Sequence, residues 1–348
     1  MVKPYKVAII ILNWNGWQDT IECLKSINEV VYENIEVVVI DNGSNDESVN
    51  QIAQWCRENK IYYHQIDLKN GNIEIDYPVP QESALALKKK GIQKVILGKL
   101  NQNMGFCRGN NIGIQIAIAS EAEVFLILNN DTVVTPHFLS PLVQLLLKNK
   151  EIGIVSPKIY YYERPREIWY VGGELRLYPG QVYLHRGQMD EGNFRGIFET
   201  AWCSGCAMLI RREVIEKVGM FDEAYFIWSE EVDLSLRARN AGYRLAVNAN
   251  TSILHKEYRS LGRRSPGTIY YSTRNRLLLA WRYWGLLRFS IFLAIFLAVR
   301  VARTIQFVLK GDYYLVLATW EAVLDFLTGR YGQWRRHNEV YKLWRKQK

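Results

Sequence analysis

Several features of secreted, nucleotide-reducing or nucleic-acid-binding proteins are missing from this sequence. Only five of the 348 residues are cysteine, an odd and scattered set. That excludes a disulfide scaffold and favours a reducing, cytoplasmic compartment. Cys203-Ser-Gly-Cys206 is a single CxxC without a second pair, so zinc and redox readings give way to buried thiols in a tight turn. The opening MVKPYKVAIIILNWNG carries a short apolar run and no small-residue cleavage site. It reads as a buried strand rather than a leader. Gly105, Gly109 and Gly113 recur every fourth residue, which is not the spacing of a dinucleotide loop. No helix-turn-helix, zinc-finger or RNA-binding-sheet pattern is present, so nucleic acid is not an expected partner. Repeats and low-complexity segments are absent too. At 49% hydrophobic and 23% charged residues the chain is not a largely disordered one. Its length suggests two units, or one large core with an appendage.

Charge is unevenly placed. The net of +9 belongs to the last quarter, where residues 256–348 hold 18 basic and five acidic side chains. The rest is slightly acidic. A basic tail suits an anionic membrane surface, nucleic acid or a phosphorylated substrate, and its Trp, Leu, Ile and Phe content favours the membrane.

The first half alternates strand and helix. Lys6–Leu12 is a continuous apolar run, as a parallel strand buried on both faces requires, and Ile35–Ile40 reads as a second buried strand. Helical spacing follows at Asp19–Ile27 and Ser48–Glu58, then a strand at Ile61–Ile66. Residues 69–100, with Pro78, Pro80 and Lys88-Lys-Lys90, read as an insertion. Gly105–Ala119 and Pro136–Leu147 read as helices around a strand at Val124–Leu128. This alternation predicts an α/β fold with right-handed crossovers and a mainly parallel, mixed sheet flanked by helices. Ile168–Arg186 suggests antiparallel ribbons, Cys206–Ile210 a strand and Glu230–Ala241 a helix.

From residue 268 the chain is helical and apolar, giving a division into a domain at 1–265 and a basic, aromatic-rich helical tail at 266–348. Phe289–Val299 carries no charge, but its helical length, roughly 16 Å, is short of the roughly 30 Å of bilayer hydrocarbon. Two readings stand: a helix packed on the main domain, or an interfacial helix with Arg282, Arg288, Arg300 and Arg303 snorkelling.

Ligands in an open parallel sheet sit beyond the carboxyl ends of its strands. Polar residues gather there: Asn13 and Asn15, Asp41 and Asn42, and Asn129-Asn130-Asp131. Asn and Asp make turns unaided, but three such loops at one sheet edge point to a site. Asp131 comes just beyond the apolar FLIL, after Asn129 and Asn130, where a carboxylate can hold a hard divalent cation against a diphosphate. His255 could add an imidazole, which Mn²⁺ accepts more readily than Mg²⁺. Glu230-Glu231-Val-Asp233 opens a helix. The helix dipole and an i,i+4 pair with Arg237 explain two of these acids; three together, after Tyr225-Phe-Ile-Trp228, also suit a general base beside a sugar-stacking wall.

Taken in order, ILNWNGWQDTIECLKSI (11–27), VVVIDNGSNDES (37–48), NMGFCRGNNIGI (103–114), FLILNNDTVVTPHFL (125–139) and CSGCAMLIRREVIEKVGMFDEAYFIWSEEVDLSLRARNAGYRL (203–245) resemble family 2 glycosyltransferases of the GT-A fold. The likeness is strongest to rhamnosyltransferase-like members and runs over about residues 5–280. It implies an inverting transferase with a nucleotide-sugar donor, dTDP-rhamnose being the best guess. The acceptor would be a hydroxyl of a cell-surface glycan or lipid-linked precursor, at the inner face of the membrane. By the same resemblance Asn13, Asn15, Asp41, Asn42, Asn103, Gly105, Asn111, Asn130 and Arg274 would serve the donor. Trp202, Gly205 and Trp228 would serve the acceptor, and Asp131 with His255 a Mn²⁺ or Mg²⁺ ion. Motif position makes Glu231 the base. The family usually has Asp there, which keeps Glu230 and Asp233 in play. Arg108 replaces a commonly small residue, and Arg274 and Arg276 stand where a diphosphate or an anionic lipid carrier would pass. Two other classes are a sugar nucleotidyltransferase and a non-catalytic nucleotide-sugar binder. The first would want a Gly-rich basic loop after the first strand, where this chain has Asn-Trp-Asn-Gly.

Overall fold

A computed structural model describes residues 5–68, 90–178, 180–257 and 265–347. In chain order the first half contains β1 (Val7–Asn13), α1 (Trp17–Asn28), β2 (Ile35–Asp41), α2 (Ser48–Glu58), β3 (Tyr62–Leu68), β4 (Ile92–Leu100), α3 (Gly105–Ala119), β5 (Val124–Asn129), β6 (Thr132–Val134) and α4 (Leu139–Lys148). Then come β7 (Ile152–Tyr161), β8 (Ile168–Tyr170), β9 (Gly173–Leu175), β10 (Gln181–Tyr183), β11 (Ile197–Glu199), β12 (Ala207–Arg211), α5 (Arg212–Val218), α6 (Glu230–Asn240) and β13 (Arg244–His255). Four helices close the chain: α7 (Pro266–Tyr283), α8 (Leu286–Leu309), α9 (Tyr313–Leu327) and α10 (His337–Gln347).

The main sheet runs β11-β13-β7-β12-β5-β1-β2-β4-β3, with β6 beside β13 and β8 beside β7. The half from β5 to β3 is parallel: β1 pairs β2 and β5, and β4 lies between β2 and β3. β12 enters antiparallel between β5 and β7, and β13 returns parallel to β7. This is the mixed α/β sheet the sequence predicts. β1 and β2 are buried on both faces by Ile and Val, and their register pairs Asn13 with Asp41 at the carboxyl edge. On the other side of β1, Leu12 pairs with Asn129. The three polar loops therefore open at the same edge.

Two expectations change. The segment 69–100 is not an insertion throughout, because Ile92–Leu100 is a core strand filling the gap between β2 and β3. Its interrupted apolar pattern, with Gln93, Lys94 and Lys99, hid it. The portion at 69–89 lies outside the described residues. The division at 265/266 also falls inside one packed body: Leu278 and Leu279 of α7 belong to the main hydrophobic core. α7, α9 and α10 share a further cluster around Tyr270, Tyr271, Trp334 and Val340, against which Phe226 and Trp228 pack. All five cysteines are buried and free, including the Cys203/Cys206 pair.

Candidate active site

A cavity of about 390 Å³ opens at the carboxyl edge of the parallel strands. Asn42, Asn103, Gly105, Asn130, Asp131, Gly205, Trp228, Glu230, Glu231 and His255 all line it. It thus brings together Asp131 and His255, the candidate cation ligands, and the candidate bases Glu230 and Glu231.

His255, the last residue of β13, is set opposite Thr132 of β6 by strand register, which carries it to the Asp131 turn. Its Nε2 lies 3.1 Å from Asp131 Oδ1. Burial opposes the charge on each, but the pairing wins: Asp131 stays below the ordinary carboxylate range and the imidazole well above its own. His255 Nδ1 is buried without a hydrogen-bond partner, and the ring meets Trp169 edge to face at 4.5 Å. Once His255 gives up the proton it shares with Asp131, a carboxylate oxygen and an imidazole nitrogen at this spacing fit a Mn²⁺-type cation, which would take the proton's place. Among the described residues no cluster of three or more His, Cys, Asp or Glu adds further ligands. Oxygens of a bound ligand would have to complete the shell.

Glu230 and Glu231 open α6. The loop before them is held in an unusual conformation, with Phe226, Trp228 and Ser229 at φ of 64°, 70° and 72°. Left-handed backbone at a bulky residue costs of the order of 1 kcal/mol or more, so something must impose it. Asn275 does so, its amide donating to the carbonyls of Tyr225, Ile227 and Trp228 at 3.0, 2.7 and 2.7 Å. Backbone N–H groups of Phe106 and Cys107 at the start of α3 donate to the Phe226 carbonyl. Gly105 there has φ +85°, and a Cβ on it would strike the Phe226 ring at 2.5 Å. Glu231 Oε1 accepts from Gln181 Nε2 at 2.9 Å, while Oε2 of Glu231 and of Glu230 are buried with no partner. Burial raises the pKa of both, and the neighbouring Glu231 charge pushes Glu230 further.

Several expected contacts are corrected. Arg274 is fully buried and donates to the carbonyls of Ala224, Tyr225 and Gly332, so it braces the loop and is not free for a diphosphate. Asp233 is enclosed by Arg237, Arg282, Tyr225 and Tyr283, which removes it from the candidate bases. Trp202 packs in the core against Tyr170 and Tyr183 instead of facing an acceptor. Asn111 exchanges two bonds with the backbone of Phe221, and its neighbour Asn110 lines the cavity in its place. Asn13 is buried, bound to Asp41 and Thr20; Asp41 in turn accepts from Asn13 and Ser44. Both shape the loop without lining the cavity. Asn15 likewise fastens Ser44 and Asn45. Arg108 pairs with Glu223.

The structure adds residues with no sequence signal. Trp169, Tyr183, Arg186 and Glu257 form one wall, where Arg186 pairs with Glu257 and lies over both aromatic rings. Gln333, His337 and Asn338 reach the cavity from the C-terminal segment, far along the chain from the sheet edge they face.

Residues 81–276 match the profile described as glycosyltransferase-like family 2, and residues 8–71 that of glycosyl transferase family 2. The chain belongs to glycosyltransferase family 2. Among its relatives, a low-salt glycan biosynthesis hexosyltransferase of Haloferax volcanii is 23% identical over 78% of this chain and 74% of its own length. A dTDP-rhamnosyl transferase of Shigella flexneri is 23% identical over 71% of this chain and 79% of its own. In fold the glycosyltransferase is similar to GalNAc-T7, crystallised with UDP, GalNAc and Mn²⁺, with a TM-score of 0.55 at 16% identity. That match covers 79% of this chain and 48% of the other. TarS of S. aureus gives 0.50 at 16% identity, over 84% of this chain and 43% of that one. Fold and family together make this enzyme a GT-A glycosyltransferase and set aside the nucleotidyltransferase alternative.

Proposed function

We propose that this glycosyltransferase moves a hexose, best matched by rhamnose from dTDP-rhamnose, onto a hydroxyl of a lipid-linked or cell-surface glycan precursor, with inversion at the anomeric carbon. The observation that carries the reading is one cavity holding the Asp131–His255 pair and the half-unpartnered carboxylate of Glu231. Rhamnosyl transfer by relatives supports the choice of sugar.

Glu231 is the base. Gln181 fixes one oxygen and leaves the other bare, and burial gives it a raised affinity for a proton. It takes the proton of the acceptor hydroxyl as the hydroxyl oxygen bonds to the anomeric carbon. The bond from that carbon to the nucleoside diphosphate breaks, and the electron pair leaves with the phosphate oxygen. Attack opposite the leaving group inverts the centre. Much of the rate comes from holding the two partners in line. Asp131 and His255 are the residues that would hold Mn²⁺ or Mg²⁺, which when bound offsets charge on the departing diphosphate. Asn42, Asn103, Gly105 and Asn130 line the donor end, and Gly205 and Trp228 the acceptor end beside Glu231. A Cβ on Gly205 would come to 3.4 Å from Glu231 Cβ, so a larger residue there would press on the base.

A panel of nucleotide sugars, screened by thermal shift with Mn²⁺, tests the donor: a true donor stabilises the native state by mass action. Stabilisation by dTDP-rhamnose above other sugars of the same nucleotide is expected. A uniform response across sugars would remove rhamnose from the proposal.

A further inference from the structure

Three arginines meet at the seam between α7 and α8 with no acid among them. Arg276 stands on α7 one turn after Thr273, and Arg300 and Arg303 are one turn apart on α8. They lie close enough that Arg276 and Arg303 both disfavour the charge on Arg300, and Arg303 that on Arg276. Arg300 is only 3% exposed. One of its Nη atoms donates to Thr273 Oγ1 at 3.3 Å, its side chain also bonds that of Tyr178, its Nε has no partner, and its guanidinium lies 4.7 Å over the Phe296 ring. Burial, then the neighbouring arginines, lower its pKa to about 10, which still leaves it cationic at neutral pH. Among the described residues, none of the three makes an ion pair. Other arginines are treated differently: the buried Arg274 and Arg211 meet backbone carbonyls, and the half-buried Arg186 and Arg237 meet carboxylates. A buried cation without a counter-charge is costly, and three guanidinium forks together are suited to a polyvalent phosphate.

One loop links this seam to the candidate base. Leu177 and Tyr178, between β9 and β10, pack on the apolar seam formed by Phe289, Phe292 and Phe296. Three residues after Tyr178, Gln181 donates to Glu231. Three residues of extended chain span at most about 10 Å, so the loop that packs on the seam also carries the residue that fixes the base. Tyr183, which lines the cavity, acts electrostatically on Arg276. On the other side, α8 continues into an exposed apolar face bearing Leu287, Ile291 and Ile295. Arg300 is too buried for the flat surface of a bilayer to reach it, whereas a single diphosphate on a flexible chain is not so limited.

We propose that Arg276, Arg300 and Arg303 form a site for the diphosphate of a lipid-linked acceptor, holding it at the α7–α8 seam so that the attached sugar reaches Glu231. This rests on the reading of the main cavity as the transfer centre, and names the anionic part of its acceptor.

The test is calorimetric binding of geranyl diphosphate to the full chain, with dTDP and Mn²⁺ already saturating the main cavity. Wild type is compared with Arg276→Gln and Arg303→Gln, positions at least partly open to solvent. Each variant is expected to bind at least ten-fold more weakly, with geraniol not binding and inorganic diphosphate competing for the same site. Arg300→Met is the second line: loss of an unpaired buried charge should raise the melting temperature without ligand and abolish the rise caused by geranyl diphosphate. Equal affinity in wild type and both glutamine variants would overturn the site. So would binding of phosphatidylglycerol vesicles with no response to either diphosphate, which would give the arginines to a bilayer instead. Stabilisation of the wild type by dTDP and Mn²⁺ reports on the main cavity separately. Its absence beside intact diphosphate binding would defeat the transferase reading and not the anion site.

Discussion

At the scale of single residues, the cavity asks two carboxylates to do opposite things. Asp131 is kept ionised by His255, whereas Glu231 is kept hungry for a proton by burial. Glu231→Gln retains the bond from Gln181 only by turning its amide, and cannot accept a proton. Turnover is expected to fall about 10²–10⁴-fold with donor binding retained; near-normal kcat would move the base elsewhere. The same substitution should stabilise the fold. A carboxyl whose native pKa is raised contributes stability below its unfolded pKa, and loses it as pH rises through the native value. At pH 7 the glutamine variant should therefore melt higher than the wild type, and the gap should close toward pH 4. In the wild type, kcat/KM should fall with acid at a pH above the ordinary range for glutamate, since only the ionised form is a base. Asp131→Ala should abolish metal-stimulated turnover, checked by titrating Mn²⁺ and Mg²⁺ against rate; full retention of metal dependence would take Asp131 out of the site.

At the scale of elements, the loop before α6 takes its shape from its neighbours. Its left-handed residues do not prefer that backbone, and Asn275 on α7 satisfies three of its carbonyls at once. Asn275→Ala takes that donor from the Ile227 and Trp228 carbonyls, a loss of about 1–3 kcal/mol per group, while the Tyr225 carbonyl keeps its bond from Arg274. Urea unfolding should register it, together with a fall in kcat. Asn275→Asp should be worse than alanine, because a carboxylate would face three carbonyl oxygens; equal stability of the two would show that the amide is not what fixes the loop. This dependence explains what could be read from the sequence and what could not. Asp131, Glu231 and the Asn42 loop were legible because strand ends and helix starts fix residues locally. β1, β2 and α2 were legible because their apolar periods match their burial. Arg274, Asp233, Trp202 and Asn111 were misplaced because their types suit a ligand as well as they suit a carbonyl, an arginine or a core. Only chain segments distant in sequence decide which partner each one finds. β4 was missed because a strand with lysines at its edges has the pattern of a loop.

At the scale of the molecule, α8 is the feature that the catalytic fold does not require. It has 24 residues and a mean hydropathy of 1.9 over its best window, and at about 1.5 Å per residue it is long enough to cross a bilayer. Its packing argues otherwise. Phe289, Phe292, Phe296 and Arg300 are buried against the protein, so the helix lies along the body. Arg300 points inward and does not snorkel, and Arg282 pairs with Asp222 and Asp233. The opposite face exposes Leu287, Ile291, Ile295, Ile305 and Leu309, with Trp281 beside it, in a C-terminal quarter that is strongly basic. A second copy would bring the same positive charge to the contact, whereas an anionic bilayer complements it, which supports an in-plane membrane helix. Removing the tail would not test this, because Gln333, His337 and Asn338 are walls of the cavity. Leu287→Glu with Ile291→Glu and Ile295→Glu leaves the inner face alone. Each apolar side chain contributes roughly 1.5–3 kcal/mol on burial, so the triple variant should lose at least about 100-fold in co-sedimentation with phosphatidylglycerol vesicles. Donor-induced thermal stabilisation should persist, since none of the three lines the cavity. Unchanged vesicle binding would place the membrane contact elsewhere, and a wild type that sediments as a dimer without lipid would give this face to protein.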